Sequence, residues 1–380
     1  MRILYVTAYP LEYDSSSNVR NMSLIRGMVQ NGHGVSTFSP YPTDLKSFTG
    51  KLLEFPFEKR YWIGSKNVSK KNEYKSNKPS VLKKFLVDVY SKFSIYDRRS
   101  WLTKLISSNV VDENFDILVS SSDPKSAHLL AERLIELNPS ICKKWIQYWG
   151  DPMSNDVTVK RLIPEFIVKK EELRIASKAT KVVYVSPLTA HVAKSIHPAI
   201  SDKIHFYPVP LREATGVTSF DDSNRMVSHL GNYYSNIRNI KPLVDAINEM
   251  KIPSAIIGNS DVKIQPSEYL IVKDRIMGKE LEEISSKTGI IVCICNLHGT
   301  QIPGKIYHDV NTGKPILIIL DGEYKDQLRV YFDSFNRYYM CDNTKEDIVC
   351  SLKKILANYK SYGTPEQLLP SCIASQFLEA

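Results

Sequence analysis

Residues Gly299–Leu320 read GTQIPGKIYHDVNTGKPILIIL, and the order of their parts decides the fold. Ile302, Ile306 and Val310 recur at i, i+4 and i+8, which predicts a helix over Pro303–Thr312 with one buried face. Proline suits the first helical position, where its missing N–H wastes nothing, and Gly313 suits the stop. The apolar run Pro315–Leu320 then predicts a buried strand. A helix leading straight into a buried strand is the crossover rhythm of a parallel sheet. Gly304 and Lys305 fall in the first helical turn, where free backbone N–H groups and the helix dipole attract an anion.

The same rhythm extends in both directions. Val227–Leu230, Ser254–Gly258, Tyr269–Val272, Ile290–Cys295 and Tyr338–Cys341 read as further strands, with helices at Ile240–Met250, Gly278–Lys287, Lys325–Phe335 and Glu346–Ala357. In the first half, Ile3–Thr7, Val35–Phe38, Asp116–Ser120, Lys144–Tyr148, Lys181–Ser186 and Ile204–Tyr207 read as strands. The expected class is therefore α/β, with two Rossmann-like domains. Residues 1–210 form the first and 226–360 the second. The polar stretch 211–225 is the linker, and a final helix in 361–380 packs back on the first domain.

Composition bounds the chemistry. The chain has 380 residues, 43% of them apolar and 24% charged, enough for two ordinary cores. It has no apolar run long enough to span a membrane, and MRILYVTAYP reads as a first strand rather than a signal peptide, so a cytoplasmic location is expected. Six cysteines without a CxxC pair fit a reduced compartment; Cys293 and Cys295 would share one face of a buried strand. The net charge of +9 is local: Lys46–Lys104 holds fifteen Lys/Arg against five Asp/Glu, and the remainder is near neutral. Tyr61, Trp62, Phe85, Tyr90, Phe93, Tyr96 and Trp101 are interleaved with these charges. That pattern predicts either a solvated face or a peripheral contact with an anionic membrane. No RNP, zinc-finger or helix-turn-helix pattern accompanies it, which argues against nucleic acid.

The first loop, TAYPLEYDSSSNVR, contains no GxGxxG, and Walker A, HExxH and GxSxG sequences are absent, so no cofactor is expected. Histidines are scattered singly, and no metal site is expected. Gly231 closes the first strand of the second domain and Arg238 lies just before its first helix. Glycine there lets a ligand approach the backbone, and arginine offers a fixed fork for phosphate.

Together these segments resemble the glycosyltransferases of the GT-B fold, most closely the large retaining family four (the "group 1" transferases). QIPGKIYHDVNTGKPIL is similar to that family's donor-site segment, HLGNYYSNIR to its glycine-then-arginine segment, and KWIQYWGDP to a strand end facing the sugar. The opening strand through the Gly-His turn, and SKATKVVYVSP, also match. The resemblance covers nearly the whole chain apart from residues 46–110.

The resemblance implies two domains facing each other across a cleft and a nucleotide-sugar donor. It also implies a glycan or lipid-linked acceptor of surface-polysaccharide, O-antigen or capsule type, and transfer with retention and without a metal. Arg238 and Lys305 would neutralise the donor diphosphate, with backbone near Gly231, Ile302 and Gly304 adding hydrogen bonds. Asp151 would stand nearest the reacting sugar, unless it only caps its own turn. The family's two donor-binding glutamates fall on Thr300 and His308. His308 can still bond ribose hydroxyls, but Thr300 is no carboxylate. That departure keeps two alternatives open: a non-catalytic nucleotide-sugar-binding or partner protein, and a GT-B-like sugar epimerase.

Overall fold

The computed structural model describes residues 1–13, 15–42, 55–64, 89–157, 159, 161–212 and 220–379. The chain divides into two compact units, Met1–Pro208 with Pro370–Ala380, and Val209–Leu369.

The first unit is a parallel sheet of seven strands: β1 (Arg2–Thr7), β2 (Gly34–Pro40), β3 (Arg60–Ile63), β4 (Phe115–Ser121), β5 (Cys142–Trp149), β6 (Lys181–Tyr184) and β7 (Ile204–Phe206). Their order is β3-β2-β1-β4-β5-β6-β7. The inner strands are apolar runs buried on both faces, as crossover helices require. Helices Ser16–Gln30, Ser126–Leu137, Glu165–Ser177 and Pro187–Ile196 make the crossovers.

The basic region contributes to the sheet and core of the first unit. Inside it, β3 pairs with β2 at the sheet edge, Tyr61 packs edge-on against Phe115 at 6.5 Å, and Leu102 lies in the core. Tyr61 is therefore no membrane-facing side chain, whereas Tyr90, Phe93 and Trp101 are exposed. Phe85 lies outside the described residues.

The last helix, Pro370–Leu378, lies on Ser16–Gln30. A Cβ at Gly27 would stand 1.9 Å from the Pro370 carbonyl oxygen, so glycine is what allows this approach. Lys181 Nζ caps the helix end by donating to the carbonyls of Gln376 (3.2 Å) and Phe377 (3.1 Å). The described ends of the expected linker, 211–212 and 220–225, belong to the second unit, where Leu211 N–H bonds the Leu368 carbonyl at 3.0 Å.

The second unit is a six-stranded parallel sheet of β8 (Met226–Leu230), β9 (Ser254–Ile257), β10 (Leu270–Lys273), β11 (Thr288–Ile294), β12 (Ile316–Leu320) and β13 (Tyr339–Asp342). The order β10-β9-β8-β11-β12-β13 is Rossmann-like, so the α/β class read from the sequence is the one found. Helices Lys241–Met250, Lys279–Lys287, Lys325–Asp333 and Lys345–Ala357 cover it, and Leu243, Ile247, Val292, Leu317, Ile348 and Leu352 fill the core.

One predicted helix is corrected. In place of Pro303–Thr312, the structure has a single turn at Lys305–His308 and a 3-10 turn at Val310–Thr312. Tyr338 Oη takes a carbonyl that a continuous helix would use, donating to that of Ile306 at 3.1 Å, and Arg337 holds the chain beyond it by donating to the carbonyls of Val310 (3.0 Å) and Lys314 (2.8 Å).

Candidate functional site

Open α/β sheets bind ligands beyond the carboxyl ends of their strands, where the strand order reverses. Each unit has such a switch point, between β8 and β11 in the second and between β1 and β4 in the first.

In the second unit, Gly231 follows β8 and its backbone face is open: a Cβ there would meet only the His229 ring, at 3.7 Å. Its shape is held from below, because Gly258 brings its own Cα against the Gly231 carbonyl, leaving 2.1 Å for a Cβ. Arg238 comes from the loop before Lys241–Met250. It donates to the Asn232 carbonyl at 2.6 Å, keeps Nε without a partner, and forms no ion pair among the described residues. Burial draws its pKa below the ordinary arginine value. Lys305 is exposed and also in no ion pair among them; buried Asp309, its pKa raised by burial, feels the Lys305 charge.

The two cations converge on one place. Burial first, then the Arg238 charge, with Lys305 adding to it, hold His229 at about 4, so this imidazole is neutral. Its Nδ1 lies 3.1 Å from the Val292 carbonyl. Cys293, on the next strand, also feels both cations.

The remaining sequence candidates are arranged less simply. Thr300 and Ile302 are buried, so Ile302 contributes side-chain packing and only its backbone can face a ligand. The His308 ring lies against Gly304, with Nε2 3.5 Å from where a Cβ would stand. Because the helix at Lys305 is one turn long, the charge of Lys305 outweighs any helix dipole as an anion attractant.

In the first unit, Asp151 follows β5 in a loop held by buried Glu172. Asp151 does not stand alone. It hydrogen-bonds to Asp123, which follows β4, and Lys125 Nζ bridges Asp123 (2.8 Å) and Asp156 (3.2 Å). Burial and then the Asp123 charge, with Asp156 adding, push Asp151 up to about 7 against the pull of Lys125. Burial also pushes Asp123 up, but Lys125 and Arg20, with the bond from Asp151, hold it below the usual range.

Sequence reasoning missed Arg20, Asp123, Lys125, Asp156, Glu172 and His229. The Asp-Pro-Lys run at the end of β4 was a readable signal for two of them, since strand ends are where sites form. Among the described residues no group of three or more His, Cys, Asp or Glu is placed to hold a metal ion, and no helix is long and apolar enough to cross a membrane.

No protein-family model matches the sequence, and no curated protein matches it significantly. Solved structures do match in fold. A glycosyltransferase from Rickettsia africae ESF-5 superposes with a TM-score of 0.56 at 12% identity, covering 99% of this chain and 91% of its own. A sucrose-phosphate synthase from Thermosynechococcus elongatus gives 0.56 at 11% identity, covering 99% and 93%. TarM gives 0.58 at 10% identity, covering 100% and 94%. The chain thus has the two-domain α/β fold of solved GT-B glycosyltransferases.

Proposed function

We propose that this protein is a glycosyltransferase that takes a sugar from a nucleoside-diphosphate donor. The observation that carries the reading is the pair Arg238 and Lys305, two cations in no ion pair among the described residues, with buried Asp309 near Lys305, beside the open backbone of Gly231 at a switch point. Such a pair suits a diphosphate, both as bound ligand and as leaving group, because it offsets charge that grows as the glycosidic bond breaks. The fold shared with solved glycosyltransferases supports this reading.

The finer assignment follows the sequence resemblance: retention, no required metal, and a polysaccharide or lipid-linked oligosaccharide acceptor. Exposed Phe93, Tyr90 and Trp101 within the basic stretch support a peripheral contact with an anionic membrane that carries such an acceptor. The test is release of nucleoside diphosphate from UDP-, GDP- and dTDP-sugars in the presence of lipid-linked acceptor. Release with none of them overturns the proposal.

Thr300 and His308 in place of carboxylates favour a second reading, a nucleotide-sugar-binding protein without catalysis. Lys305→Ala separates the two, since a scaffold keeps its biological role with that substitution and an enzyme loses it.

A further inference from the structure

The two ring nitrogens of His229 have unlike surroundings. The side chain is 5% exposed, on β8 two residues before Gly231. Its Nδ1 lies 3.1 Å from the Val292 carbonyl, and a carbonyl can only accept, so the single N–H of the neutral ring is on Nδ1. Nε2 is then a bare lone pair, buried and without a hydrogen-bond partner. It faces the open backbone of Gly231, where a Cβ would stand 3.7 Å from Nε2 and would meet no nearer atom.

A neighbouring atom is orphaned in the opposite sense. Arg238 Nε is a donor without an acceptor, while Nη1 of the same guanidinium donates to the Asn232 carbonyl at 2.6 Å. A buried donor and a buried acceptor, both left open, call for a ligand group that meets both. An oxyanion satisfies Arg238 at once. It satisfies Nε2 only when that nitrogen gains a proton, because two acceptors repel.

Charge decides whether the proton arrives. In the free protein, burial and the positive charges of Arg238 and Lys305 hold the ring at about 4, against the pull of the Val292 and Gly231 backbone. A diphosphate brings negative charge to those cations and reverses the local field. The remaining neighbours are neutral or apolar. Tyr233 packs edge-on at 6.1 Å, and Cys293 follows Val292 on β11; burial raises both, so neither is charged. On β9 the residue opposite His229 is Ile256.

We propose that His229 is a third cation of the diphosphate site, formed on demand: as the diphosphate binds, Nε2 takes a proton from water and the new N–H donates to a phosphate oxygen. The proposal rests on the nucleotide-sugar reading, and all of its residues belong to the second unit. The hydroxide left behind is neutralised by buffer, and the proton returns to solvent when the diphosphate departs. No other bond forms or breaks. Proton and ligand then strengthen each other's binding equally. Because the ring holds its proton more tightly in the complex, the added affinity is present at acid pH and lost as pH rises through the bound ring's pKa.

The test is calorimetry of the full chain with UDP-, GDP- and dTDP-sugars, in buffers of different ionisation enthalpy. The diphosphate of a nucleotide-sugar is esterified at both ends and has no proton titrating near neutral pH, so the protons counted are the protein's. An anion in hydrogen-bond reach raises such a ring by about 1–3 in pKa. Uptake should therefore be about 0.4–0.9 proton per ligand at about pH 5, and about 0.1 or less at about pH 8. Affinity should be about 2–100-fold tighter at the lower pH. In the 15N spectrum of labelled histidine, the His229 Nε2 signal should change from lone pair to N–H when ligand is added at the lower pH. His229→Gln has no titrating ring, so it should lose both the uptake and the pH dependence, and bind more weakly than wild type at the lower pH. Calorimetry and the 15N spectrum use wild type alone and decide the matter even where the variant does not fold. Ligand bound with no proton taken up, a ring that stays neutral in the complex, or undiminished pH dependence in His229→Gln overturns the proposal. If none of the nucleotide-sugars binds, the nucleotide-sugar reading fails first and this inference falls with it.

Discussion

Glu172 Oε1 accepts the backbone N–H of Met153 at 2.7 Å, so a helix residue nineteen positions downstream sets the loop that carries Asp151. Its other oxygen accepts from Ser154 N–H at 3.2 Å and from Ser154 Oγ, and His197 Nε2 lies 3.3 Å away. Burial raises the Glu172 pKa, but these bonds outweigh it and hold the carboxyl below its usual value. Glu172→Ala orphans two backbone donors in a buried site and should cost about 3 kcal/mol in urea unfolding. It should also lower kcat, because Asp151 loses its fixed position. Glu172→Gln keeps an acceptor oxygen and should recover part of both.

How much of this was legible depends on where each signal lies along the chain. Strands such as Ile316–Leu320 announce themselves because both faces are buried and the apolar run is unbroken. Arg60–Ile63 does not, because an edge strand buried on alternate residues inside a basic stretch looks like a solvated face. The helix expected over Pro303–Thr312 failed differently. Spacing reports which side chains are buried, and Ile306 and Val310 are, but it is blind to Tyr338 claiming the Ile306 carbonyl. Lys305 could be read from a local Pro-Gly-Lys run. Arg20 reaches Ser122 across about a hundred residues, and no spacing rule links them.

Gly231 and Gly258 should respond in opposite ways to the same added methyl group. At Gly258 a Cβ meets the Gly231 carbonyl oxygen at 2.1 Å, so Gly258→Ala should destabilise by about 1–3 kcal/mol. At Gly231 the nearest atom is 3.7 Å away, so Gly231→Ala should leave stability unchanged but occupy the space that ligand phosphate would use. Denaturation midpoints and nucleoside diphosphate affinity, measured on both variants, check the contrast.

Asp151 should make the native state less stable at alkaline pH. Its carboxyl titrates near 3.8 when unperturbed and at about 7 when folded, so the folded chain binds that proton more tightly. The resulting stabilisation is complete below about pH 4 and is lost as pH rises through 7. Asp151→Asn carries no charge at any pH and can still donate to Asp123. Its Tm should match wild type near pH 4, draw ahead as pH rises towards 7, and exceed it by about 2–4 °C at pH 8.5. A variant equally or less stable at the higher pH contradicts the raised value.

Arg238 and Lys305 should differ in kind when each is removed. Lys305 is exposed and in no ion pair among the described residues, so Lys305→Ala should leave the fold intact and lower kcat/KM by about 100–1000-fold, as expected for a group that meets developing charge. Arg238 is partly buried and also holds the Asn232 carbonyl, so Arg238→Ala should lose comparable activity and some stability. Lys305→Arg keeps the charge and should retain much of the rate. Removing Arg238 should also raise the His229 pKa above its present value of about 4, because a neighbouring positive charge is gone while burial continues to hold it down. An NMR titration of the His229 ring reads this directly, and an unmoved value would place Arg238 away from the site assigned to it.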